Sequence, residues 1–145
     1  MVKIGVIGVG FGSAVHIPAF QSEGIDVVAV CASHIERAES AAKQFNIPHA
    51  FTDYKKMLEL SDLDAVSIVT QSNLHYEMTM ESLGAGKHVL CEKPIAVNQQ
   101  QAREMLAKAK STGLTAMVAH EFRFAPGRAY VSELLEQGFI GDPLS

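Results

Sequence analysis

The chain has 145 residues, of which 48% are hydrophobic and 19% are charged, and its formal net charge is −4. This length and mixture are typical of one globular domain with a core of its own. The negative charge argues against nucleic acid or an anionic membrane as the main partner. The first apolar run contains Lys3 and leads into a glycine-rich turn, which is unlike a signal peptide. The longest apolar runs have the length of strands rather than of membrane spans.

Apolar runs alternate with helical segments along the whole chain. Six runs are predicted to be strands, at residues 2–7, 27–31, 49–51, 65–69, 88–91 and 115–119. Most are continuously apolar, as strands covered on both faces require. Helices are predicted at residues 35–45, 73–83 and 98–111, the last with Asn98 as its cap and Gly113 as its stop. This alternation predicts an α/β fold, a doubly wound parallel sheet of the Rossmann type with strand order 3-2-1-4-5-6 and a crevice between strands one and four.

The first strand ends in a glycine-rich turn that matches the dinucleotide-binding fingerprint. Gly8 occupies the position of the tight turn, Gly10 the position where backbone approaches the pyrophosphate, and Ser13 the third, small position. The Ser13 hydroxyl is also a candidate partner for a phosphate oxygen. Together with Phe11 and Gly12, these residues are predicted to bind the cofactor at the positive end of the following helix.

Two other interpretations of this turn remain open. It is also compatible with a glycine-rich turn that binds nothing. The three glycines at positions 8, 10 and 12 further spell the turn of S-adenosylmethionine methyltransferases. Those enzymes usually have an acidic residue two positions before the first glycine, and that position is Val6 here. The dinucleotide is therefore favoured.

The helix after the turn contains His16 and Pro18. Proline lacks an N–H donor, so a kink or a restart of the helix is predicted at Pro18. His16 is a candidate residue for the substrate side of the site.

The end of the second strand predicts which dinucleotide binds. An NAD site places a carboxylate about twenty residues past the glycine turn, to bond the ribose 2′-hydroxyl. Ala32 holds that place, and the first carboxylate is Glu36. Ser33, His34 and Arg37 offer a hydroxyl, a ring and a guanidinium for a 2′-phosphate. NADP is therefore favoured over NAD. The alternative is that these residues are only a polar loop that opens a helix, and that NAD and NADP bind equally well.

The two cysteines are predicted to be reduced. Cys31 and Cys91 lie at the ends of the second and fifth strands. In the predicted order, at roughly 4.8 Å per strand, they are about 14 Å apart. A disulfide needs Cα atoms within about 7 Å. Buried thiols in a cytoplasmic protein are therefore expected.

The loop after the fourth strand is predicted to lie beside the crevice. Thr70, Gln71, Ser72 and Asn73 are placed there to touch the middle of the cofactor. Capping of the next helix is the alternative role of Ser72 or Asn73. His75 follows one turn later and is a candidate for the nicotinamide side or for a structural role.

Four segments closely resemble the Gfo/Idh/MocA family of oxidoreductases. They are "GVIGVGFGSAVHIPAF" at the start, "DAVSIVTQSNLH" after the third strand, "AGKHVLCEKP" around the fifth strand and "EFRFAP" at residues 121–126. The resemblance covers the whole chain, and the Glu-Lys-Pro block is its most specific part. It implies a two-domain enzyme that moves a hydride between a nicotinamide and a carbon of a small sugar, inositol or related polyol, and whose full-length form is a homo-oligomer.

The resemblance also implies roles for residues at the ends of the fifth and sixth strands. Lys93 is the predicted catalytic residue, since hydride transfer at an alcohol needs a matched proton transfer; holding the substrate oxygen and the nicotinamide ribose is its alternative role. Glu92 is a candidate acceptor for ribose hydroxyls, or an ion-pair partner of Lys93 or Arg123. Pro94 is expected to follow a cis bond. Arg123 is expected at the nicotinamide end or at a domain junction.

The end of the chain is predicted to lead into a second domain. Residues 1–124 are assigned to the Rossmann domain and residues 125–145 to a linking helix, at 129–137, and the start of a substrate domain, which "IGDPLS" resembles. Such a piece alone is expected to be inactive. A stand-alone NAD(P)-binding module, regulatory or structural, is the alternative, but it would struggle to bury Phe139, Ile140 and Leu144. The His, Cys and Asp residues show no metal-ligand spacing, so no metal is predicted.

Overall fold

A computed structural model describes residues 1–141 as alternating strands and helices. The strands are β1 (Lys3–Ile7), β2 (Asp26–Cys31), β3 (His49–Phe51), β4 (Ala65–Ile68), β5 (His88–Glu92) and β6 (Ala116–Ala119). The helices are α1 (Ile17–Ser22), α2 (Ile35–Phe45), α3 (Tyr54–Leu58), α4 (Ser72–Gly84), α5 (Gln99–Thr112) and α6 (Pro126–Glu136). A π-helical turn, Gly12–His16, leads into α1, and a 3₁₀ turn, Glu121–Phe124, precedes α6.

All six strands form one parallel sheet in the order β3-β2-β1-β4-β5-β6, which confirms the predicted topology. The carboxyl ends of the central strands are level. Ile7 pairs with Cys31 on one side and with Ile68 on the other, and Ile68 pairs with Cys91. The direction of chain progression reverses between β1 and β4, and such a switch point is where parallel α/β sheets form ligand crevices.

The central strands are apolar along their length because helices cover both faces of the sheet. One face packs on α3 and α4, and its core includes Ile7, Cys31, Met57, Leu58, Val66, Ile68, Leu83, Val89 and Cys91. The other face packs on α1 and α2, and its core includes Ile4, Val6, Ile17, Val27, Val30, Ile47 and Val69. The rigid sheet between these cores fixes the strand ends that carry the site.

Local signals end most elements where they were predicted. The Asn98 side chain accepts a bond of 2.9 Å from the backbone N–H of Gln101 and caps α5, and Gly113 ends it with φ 67°. Pro18 lies second in α1, directly after the π turn, which confirms the predicted restart. Cys31 and Cys91 are buried free thiols, as expected.

Two predictions about helices need correction. α3 was not predicted at all, and α6 begins at Pro126 rather than at residue 129, because proline is well suited to the first position of a helix. The predicted start of a further strand in "IGDPLS" falls largely on residues 142–145, which lie outside the described residues. No helix within residues 1–141 combines the length and the apolarity needed to cross a membrane.

Candidate functional site

A cavity of about 630 Å³ opens at the carboxyl ends of β1, β2 and β4. Its volume lies within the usual range for small-molecule sites. It is lined by Ile7, Gly8, Val9, Gly10, Cys31, Ala32, Ser33, Arg37, Thr52, Tyr54, Val69, Thr70, Gln71, Leu74 and Met78. Arg37 is the one charged residue in this lining, so the cavity favours an anionic ligand.

The glycine turn forms one wall of this cavity, and each glycine has a different reason to be there. Gly8 has φ 107°, and a Cβ there would lie 2.4 Å from the carbonyl oxygen of Val69. A Cβ on Gly12 would lie 3.0 Å from Val6 Cγ1, so the π turn packs directly on β1. A Cβ on Gly10 would have no neighbour within 4 Å. That open space at Gly10 is where the fingerprint puts the pyrophosphate.

The start of the helix after the turn is not capped by a side chain. Phe11 occupies its N-cap position without a side-chain bond, so the first backbone N–H groups are available to an anion. Ser13 lies near this start, and its buried Oγ has no hydrogen-bond partner within the described part of the chain. It faces a neighbouring depression that Glu36 and Arg37 also line, rather than the main cavity.

The end of β2 brings two of its three predicted residues to the cavity. Ser33 and Arg37 line it, and Ala32 stands beside them where an NAD site would have its carboxylate. His34 is outside the lining; it occupies the N-cap position of α2, and its Nδ1 lies 3.0 Å from Ser33 Oγ. Its contact with a ligand would therefore pass through Ser33.

Of the four residues predicted to form the loop after β4, two line the cavity and two belong to helix α4. Thr70 and Gln71 line the cavity, whereas Ser72 and Asn73 belong to the first turn of α4 and do not. The alternative capping role of Ser72 or Asn73 is wrong, because Gln71 holds the N-cap position of α4 and no side-chain hydrogen bond caps it.

Among the lining residues that sequence reasoning missed are Thr52, Tyr54, Leu74 and Met78. Leu74 and Met78 are one turn apart on α4 and present an apolar surface to the crevice. Tyr54 begins α3, and partial burial beside Glu77 and Glu81 raises the pKa of its hydroxyl.

A buried network joins the π turn to β4 and β5. His16 Nε2 lies 3.0 Å from Glu92 Oε1, and His16 Nδ1 lies 2.9 Å from Ser67 Oγ. Glu92 Oε2 accepts a bond of 3.0 Å from the backbone N–H of Lys93. Glu92 therefore pairs with His16, not with Lys93 or Arg123 as the ion-pair alternative proposed, and its side chain is almost fully buried.

His75 is also buried, with 1% of its surface exposed. Its Nδ1 lies 2.8 Å from the carbonyl oxygen of Pro94, and its Nε2 lies 3.1 Å from that of Thr70. It does not line the cavity, so its contacts support the structural alternative. The peptide bond between Lys93 and Pro94 is cis, as the family resemblance implied.

Lys93 and Arg123 share a second depression, of about 340 Å³, at the ends of β5 and β6. It is lined by Lys93, His120, Glu121, Phe122, Arg123 and Arg128. The Arg128 guanidinium lies 4.6 Å from the centre of the Phe122 ring, which holds α6 against the 3₁₀ turn. Three cationic side chains, of Lys93, Arg123 and Arg128, line this depression and can hold an oxygen-rich substrate or the far end of a long anionic ligand.

The two thiols play no part in this chemistry. Burial raises the pKa of Cys31 and of Cys91 to about 11, so both stay protonated near neutral pH. The described residues contain no group of three His, Cys, Asp or Glu side chains arranged to hold a metal.

Comparison with known proteins identifies the family. The sequence model of the Gfo/Idh/MocA oxidoreductase family, NAD-binding Rossmann fold, matches residues 2–120. Mouse trans-1,2-dihydrobenzene-1,2-diol dehydrogenase is 39% identical over 98% of this chain and 42% of its own length. Scyllo-inositol dehydrogenase from Lactobacillus casei, solved with NAD(H) and scyllo-inositol, superposes with a TM-score of 0.91 at 28% identity, over 98% of this chain and 43% of its own.

A third relative was solved with the other dinucleotide. KijD10, a 3-ketoreductase from Actinomadura kijaniata in complex with NADP and TDP-benzene, superposes with a TM-score of 0.87 at 31% identity, over 94% of this chain and 44% of its own. The chain thus spans roughly two fifths of the length of these relatives. The family match also decides against the methyltransferase interpretation of the glycine turn. The chain belongs to the Gfo/Idh/MocA oxidoreductases and contains their NAD(P)-binding Rossmann domain.

Proposed function

We propose that this chain binds NADP in preference to NAD, as the cofactor domain of an enzyme that oxidises or reduces a sugar, inositol, related polyol or dihydrodiol. The observation that carries the proposal is the cavity at the switch point of the sheet, with open space at Gly10 and Arg37 as its one charged lining residue. The pyrophosphate would lie on the glycine turn and on the uncapped helix N-terminus.

The preference for NADP rests on the residues at the end of β2. No carboxylate lines the cavity beside Ala32, so the lining itself places no negative charge against a 2′-phosphate. Ser33 and Arg37 stand at this end of the cavity and supply a hydroxyl donor and a guanidinium. The adenine ring would lie against the apolar surface of Leu74 and Met78.

Lys93 is proposed to handle the proton of the reaction. A bound nicotinamide supplies the acceptor or donor of the hydride. The Lys93 side chain, which lines the depression at the ends of β5 and β6, would hold the substrate oxygen; as an ammonium it would pass a proton to that oxygen during reduction, and as a neutral amine it would take the alcohol proton during oxidation. Arg123, in the same depression, would hold other oxygens of the substrate or the nicotinamide end of the cofactor.

Residues 125–145 are proposed to connect the Rossmann domain, residues 1–124, to a second domain that binds the substrate. None of the α6 side chains is buried, and Phe124, Tyr130, Val131 and Phe139 are exposed near or on this helix. Exposed apolar surface of this kind is typical of a segment that packs on further protein. The relatives, more than twice as long, support the same proposal.

Calorimetric titration of the 145-residue chain with NADPH and NADH at low salt tests the proposal. We expect both to bind and NADPH to bind about tenfold more tightly, a difference of about 1.4 kcal/mol that one charge-assisted contact can supply. We expect no useful turnover of polyols by this chain, because catalysis needs a positioned substrate. Tighter binding of NADH would overturn the NADP preference, and absence of binding by either would overturn the cofactor proposal.

A further inference from the structure

Two buried histidines contact the residues on either side of Lys93. His16 contacts the carboxylate of Glu92, which precedes Lys93, and His75 contacts the carbonyl oxygen of Pro94, which follows it. We propose that His16 and His75 are positioning residues, which fix Lys93 relative to the glycine turn and to the loop after β4. This inference rests on the role proposed above for Lys93.

A chain of three hydrogen bonds runs from Ser67 through His16 and Glu92 to the backbone of Lys93. Ser67, fully buried on β4, contacts His16 Nδ1 at 2.9 Å. His16 Nε2 contacts Glu92 Oε1 at 3.0 Å, and Glu92 Oε2 accepts the backbone N–H of Lys93 at 3.0 Å. A carboxylate only accepts, so His16 donates from Nε2 and its Nδ1 is free to accept from the serine hydroxyl. Every group in this network is satisfied, and it ends on the Lys93 backbone.

The contact through His75 acts on the other side. Both of its partners are backbone carbonyl oxygens, of Pro94 at 2.8 Å and of Thr70 at 3.1 Å, so the ring lies between two loops. A neutral ring has one N–H and donates to one of these carbonyls, whereas a doubly protonated ring donates to both. Thr70 lines the main cavity, and Pro94 adjoins Lys93. The ring therefore sets the distance between the loop that borders the cofactor cavity and the turn that carries the proposed catalytic lysine.

Burial makes both histidine contacts costly to lose. His16, His75 and Glu92 are each less than a tenth exposed, and water cannot replace a lost partner cheaply at such positions. Neither histidine lines the main cavity, and Lys93 lies outside its lining as well. Loosening either contact should consequently displace Lys93 and the nicotinamide end more than the adenosine end.

Amide hydrogen exchange in the folded chain tests the proposal without any ligand. We expect the Lys93 amide, which is bonded to Glu92, to exchange at least about tenfold faster in His75→Leu and in His16→Leu than in the parent, relative to the core amide of Val66. His75→Gln should restore the parent rate, since its amide nitrogen keeps two N–H donors for two carbonyls. His16→Gln, which keeps one donor for Glu92, should likewise stay near the parent rate, and the His75 pair of variants decides if His16→Leu does not fold.

Ser82→Ala is the matched control, because it removes a buried hydroxyl bonded only to the carbonyl of Met78 in its own helix, α4. It should leave Lys93 exchange unchanged. Unchanged Lys93 exchange in the folded histidine variants would overturn the proposal. So would an equal acceleration in Ser82→Ala, which would indicate a general loosening of the fold.

Ligand binding gives a second, independent readout. The dinucleotide that binds the parent more tightly, NADPH or NADH, is titrated in parallel with the matching compound without nicotinamide, which is 2′-phospho-ADP-ribose for NADPH and ADP-ribose for NADH. We expect His75→Leu to weaken the dinucleotide about tenfold more than the ADP-ribose compound, and His75→Gln to recover the difference. Equal losses for both ligands, without rescue, would overturn the proposal. Failure of the parent to bind either ligand would count against the proposed function instead, and the exchange experiment would still decide on the histidines.

Discussion

The Cβ position of Gly8 lies 2.4 Å from the carbonyl oxygen of Val69. Gly8 directly follows β1 and Val69 directly follows β4, and at this point the two backbones approach so closely that only glycine, which has no Cβ, fits at position 8. The bond of 2.8 Å from the Val69 N–H to the carbonyl of Ile7 holds them there. The floor of the cavity is therefore made by backbone, and it depends on glycine at position 8.

Gly8→Ala is expected to destabilise the fold by about 2–4 kcal/mol, because it combines a backbone clash with a positive φ. Urea unfolding followed by circular dichroism measures the loss. Gly24→Ala is the matched control, since Gly24 has φ 72° but open space around its Cβ position, and it should cost only about 1 kcal/mol. Equal losses in the two variants would show that the approach to Val69 is unimportant.

Gly10→Val is expected to leave the fold intact and to weaken dinucleotide binding at least about tenfold. The added side chain meets no protein atom within 4 Å of its Cβ and enters the space assigned to the pyrophosphate. Thermal unfolding checks the fold, and calorimetry checks the affinity. A folded variant with the affinity of the parent would show that this turn holds no phosphate.

Arg37→Gln is expected to lower NADPH affinity about tenfold or more and to leave NADH affinity nearly unchanged, because a charge-assisted contact with the 2′-phosphate is lost. Lys43→Gln removes one positive charge from the last turn of the same helix, away from the cavity lining, and should change neither affinity. Calorimetric titration of the parent and the two variants with both cofactors gives the six dissociation constants to compare. Equal weakening of NADPH and NADH by Arg37→Gln would contradict a 2′-phosphate contact.

His16→Leu is expected to destabilise the chain by about 3–5 kcal/mol, since it leaves the Glu92 carboxylate buried without its partner. An exposed pair provides the comparison. Lys55 and Glu81 are 2.7 Å apart on the surface, and Lys55→Ala should cost at most about 1 kcal/mol. Urea unfolding of both variants near neutral pH gives the two losses, and similar small values would mean that the His16 contact contributes little.

The buried thiols predict a loss of stability in alkali. Burial raises the pKa of Cys31 and Cys91 from 9.0 to about 11, so the unfolded chain releases these protons at lower pH than the folded chain does. The thiols should therefore leave the free energy of unfolding unchanged well below pH 9 and lower it as the pH rises through 9 towards 11, by a total of about 1.4 kcal/mol for each thiol per unit of pKa difference. A Cys31→Ala, Cys91→Ala double variant should show a shallower fall in urea unfolding across this range, and an equal slope would contradict the assignment.

The sheet and the glycine turn could be predicted because their signals are local. Continuous apolar runs mark strands that are covered on both faces, and short connections restrict their order. α3 escaped prediction because five residues are too few to display a helical period. Asp53 was the available signal, since its side chain accepts the Lys55 N–H at 2.9 Å as an N-cap.

The interior contacts of the site could not be predicted, because they join residues that are distant in the sequence. His16 and Glu92 are 76 positions apart and meet only because the π turn lies over the ends of β4 and β5. Nothing adjacent to either residue in the sequence points to the other. The apolar pair Leu74 and Met78 was visible, but the direction it faces depends on how α4 sits on the sheet.

The sheet ends at β6, whose outer edge pairs with no other strand within residues 1–141. Ala116 and Met117 are exposed on this strand, and no charged side chain interrupts its four residues. An unprotected apolar edge is a template for strand addition between molecules. Concentrated solutions of the chain should for this reason aggregate edge to edge, and Met117→Lys should improve solubility without touching either cavity wall that holds the cofactor or Lys93.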